Sequence, residues 1–251
     1  MFGFHHDFLQ FLKHIVRPEV YLEIGVASGV TLFGEPRAST LIGVDPDPHL
    51  TIDPSSFPWH GSLFREPSDA FFSRSAIKEV TDKPVDLTFV DGMHWAEFAL
   101  RDIRNAEAIS QRNGVIAVHD IYPKSAKEAG REFNAEGNWM GDVFKATHAL
   151  RKFRPDLKIV LISDIPPSGM AVIYDLDPSN RVLFDRYDAV VEYMRSLDYD
   201  RDFNTDILPT FISETSDAFV AMLQGLLERR CATRRRISPL SLLRSGLFRT
   251  A

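Results

Sequence analysis

The chain has 251 residues, of which 44% are hydrophobic and 25% are charged. This composition excludes collagen-like, low-complexity and wholly disordered proteins, and a single cysteine, Cys231, excludes an intrachain disulfide framework and a cysteine-based zinc site. The net charge of −6 is uneven, because residues 228–251 hold seven arginines and one acid. The remaining acidic body argues against a nucleic-acid partner. We expect the basic tail, residues 228–251, to be flexible and available to an acidic surface.

No targeting or membrane-spanning segment is apparent in the sequence. The start of the chain lacks the basic residues and the long apolar run of a signal peptide. The apolar runs are far shorter than the roughly 20 residues that a spanning helix needs. We therefore expect a cytoplasmic protein.

The predicted elements alternate between helices and strands. Apolar residues at helical spacing predict a first helix over residues 4–16, which Pro18 ends. Short β-rich runs predict seven strands, at residues 19–24, 40–44, 59–64, 85–90, 115–118, 157–162 and 170–174. Further helices are predicted at residues 95–110, 142–153, 182–197 and 214–227, and a long polar loop at residues 121–140.

The last two predicted strands are joined by seven residues, too few for a crossover helix, so they should form an antiparallel hairpin. We predict an α/β fold with a doubly wound, mostly parallel sheet of seven strands, of which the last is antiparallel. The predicted organisation is an N-terminal helix over 1–18, the sheet domain over 19–176, a helical extension over 177–227, and the tail.

Chemically active residues follow four of the predicted strands. These are Glu23 with the glycine turn 25–29, then Asp45, then residues 91–94, and then His119 with Asp120. Ligands of open parallel sheets bind beyond the carboxyl ends of the strands. The turn is neither a dinucleotide fingerprint nor a phosphate-binding P-loop. Glu23 would repel a pyrophosphate but could pair with an ammonium group, and Asp45 could accept hydrogen bonds from ribose hydroxyls.

Four segments carry a family resemblance: YLEIGVASGVTL (21–32), IGVDPDP (42–48), VDLTFVDGMHWAEFALRDI (85–103) and NGVIAVHDIYP (113–123). They resemble class I S-adenosylmethionine-dependent methyltransferases, in particular the branch with sugar and macrolide O-methyltransferases. The resemblance implies a Rossmann-like fold and S-adenosylmethionine as cofactor. It further implies cofactor-binding residues, which are Glu23, Gly25 and Ser28 for the amino-acid end, Asp45 for the ribose, and Ser62, after the third strand, for the adenine. Gly29 would let the cofactor approach the turn closely.

The resemblance also implies a divalent cation such as Mg²⁺, held by Asp91, His119 and Asp120. Such a cation would lower the pKa of an acceptor hydroxyl. His94, at the start of a helix, would be the base, with a pKa depressed by the helix N-terminus. Imidazole is softer than the ligands Mg²⁺ prefers, so His119 could instead orient Asp120. Asp91 could instead cap the helix near residue 95.

The predicted function is O-methylation of a hydroxyl on a small molecule or a sugar, assisted by Asp91 and His94. The alternatives are a metal-dependent hydrolase or hydroxylase-like enzyme on the same scaffold, and a non-catalytic cofactor-binding protein. Residues 138–145 are either a substrate lid or a loop that packs before a helix. Trp95 and Trp139 either stack on a ligand or fill the core. A homo-oligomer is compatible with the sequence, and His5 and His6 are expected to be exposed.

Overall fold

The computed structural model describes residues 2–135 and 137–231. The predicted tail therefore lies almost entirely outside the described residues. One mixed sheet organises the rest of the chain. Its strands are β1 Val20–Ile24, β2 Thr40–Val44, β3 Gly61–Phe64, β4 Val85–Val90, β5 Ser110–His119, β6 Lys158–Ile162, β7 Met170–Tyr174 and β8 Phe211–Ile212.

Helices connect and cover these strands. The α-helices are α1 His5–Val16, α2 Val30–Phe33, α3 Ser68–Ser73, α4 Ala96–Ile109, α5 Phe144–Phe153, α6 Val182–Asp185, α7 Tyr187–Ser196 and α8 Asp217–Cys231. Short 3₁₀ turns occur at Pro54–Ser56, Ala76–Glu79 and Leu208–Thr210, and a π-helix at Tyr199–Ile207. Within the part of the chain that the structure describes, no helix is both long and apolar enough to cross a bilayer.

The strand order in the sheet is β3-β2-β1-β4-β5-β7-β6-β8. All neighbouring pairs are parallel except those that β7 makes with β5 and with β6. The chain runs outward from β1 to β3 and then returns to place β4 on the other side of β1. This reversal leaves a crevice at the carboxyl ends of β1 and β4, which is where ligands of doubly wound sheets bind.

Two apolar layers enclose the sheet, because successive strand residues point to opposite faces. On β5, Ile116 and Val118 join the cluster under α4, α5 and α7, whereas Val115 and Ala117 face the cluster under α1 and α8. Burial on both sides accounts for the nearly continuous apolar runs of the strands. The predicted doubly wound, mostly parallel sheet with an antiparallel hairpin strand is confirmed.

The structure corrects several element predictions. The sheet has eight strands, because the two-residue strand β8 pairs with β6 inside the region predicted to be a helical extension. The predicted helix over 182–197 is two helices, α6 and α7. The strand β5 begins at Ser110, five residues earlier than predicted, because its backbone pairs with Val85 despite a polar sequence.

Candidate active site

The glycine turn and Asp91 meet in the crevice between β1 and β4. Gly25, Ala27 and Gly29 all have positive φ angles, which only glycine adopts readily. A Cβ atom on Gly25 would lie 2.0 Å from the carbonyl oxygen of Asp91. A side chain at position 25 would therefore push the turn away from the end of β4.

Asp45 fixes the conformation of this turn. One of its carboxylate oxygens accepts hydrogen bonds from the backbone N–H groups of Val26 and Ala27, at 2.8 and 2.9 Å. The other accepts one from the N–H of Asp47 at 2.8 Å. The backbone oxygen of Ser28 accepts a hydrogen bond from the N–H of Thr51 at 2.9 Å. The half-buried Asp45 carboxylate thus holds the turn while lying at the sheet edge.

Glu23 is fully buried beneath the turn. Its carboxylate accepts hydrogen bonds from the hydroxyls of Tyr21 and Thr31. The pKa of Glu23 is raised to about 7 by burial, against the lowering effect of Lys13 and the two hydroxyls. The Lys13 ammonium is buried too and donates to the carbonyl oxygen of Thr31. Both oxygens of Glu23 therefore serve contacts inside the fold, on the side of α1.

The position of Ser62 differs from the prediction. Ser62 lies within β3 and pairs with Ile42, whereas the N–H of Asp45 bonds to the carbonyl oxygen of Phe64 at the strand end. Ser62 therefore lies two residues before the carboxyl end of its strand, and its contact with an adenine ring stays a prediction.

Asp91, His94 and Asp120 form a candidate cation site. Each offers one ligand atom, and these atoms lie within 4.8 Å of one another. The Nε2 atom of His94 lies 3.0 Å from Oδ2 of Asp120 and 3.7 Å from Oδ1 of Asp91. These three residues, here called the carboxylate–imidazole cluster, are partly exposed at Asp91 and His94 and buried at Asp120.

The surroundings of His94 contradict the predicted depression of its pKa. Burial alone would lower this pKa, but the hydrogen bond and charge of Asp120 and the charge of Asp91 outweigh it, so the pKa rises to about 9. Two nearby carboxylates act more strongly than the partial charge of a helix terminus. Without a bound cation, His94 is therefore an imidazolium at neutral pH and not a free base.

His119 lies behind the cluster. Its Nδ1 atom is 3.2 Å from Oδ1 of Asp91 and 3.4 Å from Oδ1 of Asp120, while its Nε2 atom is 2.9 Å from the Ser168 hydroxyl. Burial lowers the pKa of His119, but both carboxylates raise it to about 10. The structure therefore places His119 where it orients the carboxylates, and it places His94, rather than His119, among the converging ligand atoms.

Asp120 has a positive φ of 59° in the residue directly after β5. A non-glycine residue rarely adopts this conformation, and such strain is concentrated at functional sites. Burial raises the pKa of the Asp120 carboxyl, but the two histidines hold it well below its usual range. The carboxylate is therefore ionised where it faces the cluster.

The N-terminal helix reaches the site, contrary to the expectation that its histidines are exposed. His5 is buried, and its ring centroid lies 4.2 Å from that of His119. His6 is half-buried beside His5. His5 shares one face of α1 with Phe8, Leu9 and Leu12, so the helical period could have identified it as buried.

The segment after the long loop holds His94 in place. The Nδ1 atom of His94 lies 3.1 Å from the carbonyl oxygen of Trp139, and the two rings stack with centroids 4.9 Å apart. Asp142 accepts a hydrogen bond from the N–H of Ala96 at 2.8 Å, so Asp142 rather than Asp91 satisfies the start of α4. Nothing in the sequence signals this long-range cap.

Comparisons with known proteins agree with this architecture. Residues 22–121 match a family model described as "Methyltransferase domain". No curated protein matches the sequence significantly.

Solved structures of methyltransferases are similar to the chain. An inferred O-methyltransferase from Klebsiella pneumoniae aligns at 15% identity and a TM-score of 0.50, covering 68% of this chain and 79% of that one. An O-methyltransferase from Bacillus cereus bound to S-adenosylhomocysteine aligns at 13% identity and a TM-score of 0.48, covering 68% and 80%. The S-adenosylhomocysteine-bound Podospora anserina methyltransferase PaMTH1 aligns at 16% identity and a TM-score of 0.49, covering 69% of this chain and 78% of that one.

The matched domain spans β1 to the residues just after β5, so it contains the glycine turn and the carboxylate–imidazole cluster. The fold is that of the Klebsiella pneumoniae protein. Residues 22–121 are therefore a methyltransferase domain, in agreement with the S-adenosylmethionine-dependent methyltransferase that the sequence predicts. The match favours this function over the hydrolase and the non-catalytic alternatives considered from the sequence.

Proposed function

We propose that this enzyme transfers the methyl group of S-adenosylmethionine to a hydroxyl of a small molecule at the carboxylate–imidazole cluster. The proposal is supported above all by the contact between the glycine turn and the backbone of Asp91. A donor bound at the turn and an acceptor bound at the cluster would then occupy neighbouring parts of one crevice. Proximity of the two reacting groups is itself a large part of such catalysis.

The cofactor would be held by the turn and the neighbouring strand end. A ligand can approach the backbone of the turn closely at Gly25, Ser28 and Gly29, because the glycines have no side chain. Asp45 retains carboxylate lone pairs for ribose hydroxyls beyond the bonds it makes to the turn. Glu23 would support the turn from below through Thr31, and its carboxylate would favour the ammonium end of the cofactor.

The residues of the cluster fit a divalent cation. The Nδ1 atom of His94 faces a carbonyl oxygen, which can only accept, so Nδ1 carries a proton. The Nε2 atom then faces two carboxylates, an arrangement that requires either a second proton or a cation at that atom. Two carboxylates and one imidazole suit Mn²⁺ better than Mg²⁺. When bound, the cation would lower the pKa of an acceptor hydroxyl and orient it.

The remaining residues of the site position these ligands. His119 donates from Nδ1 to the carboxylates, which fixes their orientation and leaves their other lone pairs free. Trp139 fixes the tautomer of His94 through its carbonyl oxygen and fixes the ring plane by stacking.

Calorimetric titration of the protein with S-adenosylmethionine tests the donor half of this proposal. We expect one site per chain, and replacement of Asp45 by Ala should weaken binding about tenfold or more, because two ribose hydrogen bonds and the brace of the turn are lost. Asp47→Ala is the matched control, since its exposed carboxylate lies next to Asp45 and does not brace the turn. Absence of binding, or equal effects of the two replacements, would overturn the assignment.

A further inference from the structure

Three exposed apolar side chains border the candidate site. Among the described residues, four large hydrophobic side chains are exposed: Phe4, Met93, Phe133 and Val220. Three of them adjoin site residues, and we call Phe4, Met93 and Phe133 the apolar rim. Phe133 has 74% of its surface exposed, the largest fraction of the four. Solvated apolar side chains gathered around one site indicate a surface that a ligand covers.

Ring contacts connect the rim to the cluster from two sides. Phe133 packs edge-on against Trp139, with centroids 5.4 Å apart, and Trp139 stacks on His94. On the other side, Phe4 lies 4.6 Å from His5, whose ring contacts His119. Met93 directly precedes His94. Phe133 is thus connected to His94 through one ring, whereas Phe4 is connected to the cluster only through His5 and His119.

The loop that presents Phe133 is anchored at its base. The indole N–H of Trp139 donates to the carbonyl oxygen of Gly130 at 2.8 Å, and that of Trp95 donates to the carbonyl oxygen of Arg131 at 2.9 Å. The Arg131 guanidinium forms ion pairs with Glu97 and Asp142. These bonds fix both ends of the segment around Phe133, so the exposed ring is presented by a braced loop.

We propose that the acceptor is amphiphilic, with a hydroxyl for the cluster joined to a planar apolar body that Phe133 and Met93 contact. This inference rests on the proposed function and names the chemistry of its acceptor. A bare sugar would bury less apolar surface on the Phe133 ring than an aromatic group would, because hydroxyls surround its small apolar face. An aromatic or polycyclic alcohol would cover that ring while its hydroxyl reached Asp91 and Asp120.

Two diols that differ in one apolar group provide the test. Glycerol and 3-phenoxypropane-1,2-diol share a vicinal diol, and only the second carries a phenyl ring. Saturation-transfer NMR with the full chain, Mg²⁺ and S-adenosylhomocysteine should show about fivefold tighter binding of the phenoxy compound, with its strongest saturation on the phenyl protons. In Phe133→Ala most of the difference between the two affinities should be lost, with a small remainder from Met93, whereas Phe133→Leu should keep more of it.

Val220→Ala is the matched control, because it truncates an exposed large hydrophobic residue on α8, a helix that contributes no residue to the carboxylate–imidazole cluster. It should leave the discrimination unchanged. Equal or undetectable binding of both diols in the wild type, or intact discrimination in Phe133→Ala, would overturn the proposal. If Phe133→Ala changes the oligomeric state but not the preference for the phenoxy diol, the apolar rim contacts a second copy of the chain. That result would also overturn the proposal.

The failure of this inference is separable from the failure of the proposed function. If calorimetry shows S-adenosylmethionine binding that depends on Asp45 while the diols are not discriminated, the methyltransferase site stands and the amphiphilic acceptor is wrong. If S-adenosylmethionine itself does not bind, the proposed function fails first.

Discussion

His94 and Asp120 face each other with Nε2 and Oδ2 3.0 Å apart, although the two residues come from different strand ends. The opposite ring nitrogen of His94 is committed to the carbonyl oxygen of Trp139. The Nε2 atom therefore faces the carboxylates of Asp120 and Asp91. These carboxylates raise the pKa of His94, and we propose that a divalent cation would compete with the proton at this atom.

Replacing Asp120 by Asn should weaken the binding of Mn²⁺ by about tenfold or more, because one of three ligands becomes neutral. Titration followed by electron paramagnetic resonance of free Mn²⁺ measures this directly. Asp47→Asn is the control, as its carboxylate is exposed and is not part of the carboxylate–imidazole cluster. Equal affinity in Asp120→Asn and in the wild type would remove Asp120 from the ligand set.

Gly25→Ala should disable the turn. The new methyl group would meet the Asp91 carbonyl at 2.0 Å, in addition to the strain of a positive φ of 85°. Gly137→Ala is a matched control, because its φ is 105° and a Cβ there meets nothing within 4 Å. The control should cost about 1–2 kcal/mol of unfolding free energy, and Gly25→Ala more than that. Urea denaturation of both variants compares them, and equal losses would show that the contact with Asp91 is not tight.

Lys13 and Glu23 should be energetically coupled. Lys13→Met leaves the Glu23 carboxyl buried without its cationic neighbour, so we expect a loss of about 3 kcal/mol in unfolding free energy. Adding Glu23→Gln should recover part of that loss, since the buried charge is then gone. A double-mutant cycle by chemical denaturation gives the coupling, and strictly additive effects would mean that the two groups do not sense each other.

Asp102 should make stability decrease as the pH rises. Burial, together with the charge of Asp69, raises the pKa of Asp102 to about 7, although Ser68 and Arg101 lower it. Between pH 4 and pH 7, Asp102 is protonated in the folded chain and ionised in the unfolded chain. The free energy of unfolding therefore falls as the pH rises through this interval and stays at the lower value above it.

Asp102→Asn removes this titration. The unfolding free energy of the variant minus that of the wild type should increase by roughly 2–4 kcal/mol when the pH is raised from 4 to 8. Denaturation at both pH values measures the difference, with Asp82→Asn, an exposed acid, as the control. A difference between variant and wild type that is the same at both pH values would show that Asp102 is ionised throughout.

The sequence allows most of the sheet to be predicted, since buried parallel strands have long apolar runs. The bounds of β2, β4 and β7 agree with the predicted runs at 40–44, 85–90 and 170–174. The strand β8 could not be found this way, because two residues carry no period. The early start of β5 could not be predicted either, because residues 110–114 are mostly polar and pair with β4 through backbone contacts.

The clustering of acidic and imidazole groups could also be predicted, because the carboxyl ends of parallel strands lie at one edge of the sheet. Which of His94 and His119 lies among the converging ligand atoms could not be predicted. It depends on which ring nitrogen faces which oxygen, and that is set by Trp139 and Ser168, which are distant in sequence. The helical period places His5 on the buried face of α1, so its burial could be predicted. The absence of nearby carboxylates in the sequence instead suggested an exposed side chain.

We propose that a divalent cation held by Asp91, His94 and Asp120 would be close to the methyl group of a cofactor held by the glycine turn. The most direct test is NMR of S-adenosylmethionine carrying a ¹³C-labelled methyl group, bound to the protein and titrated with Mn²⁺, with Mg²⁺ as the diamagnetic reference. We expect the bound methyl resonance to broaden strongly in the wild type and to stay sharp in Asp91→Asn. A bound cofactor whose methyl resonance is unaffected by Mn²⁺ in the wild type would contradict the account.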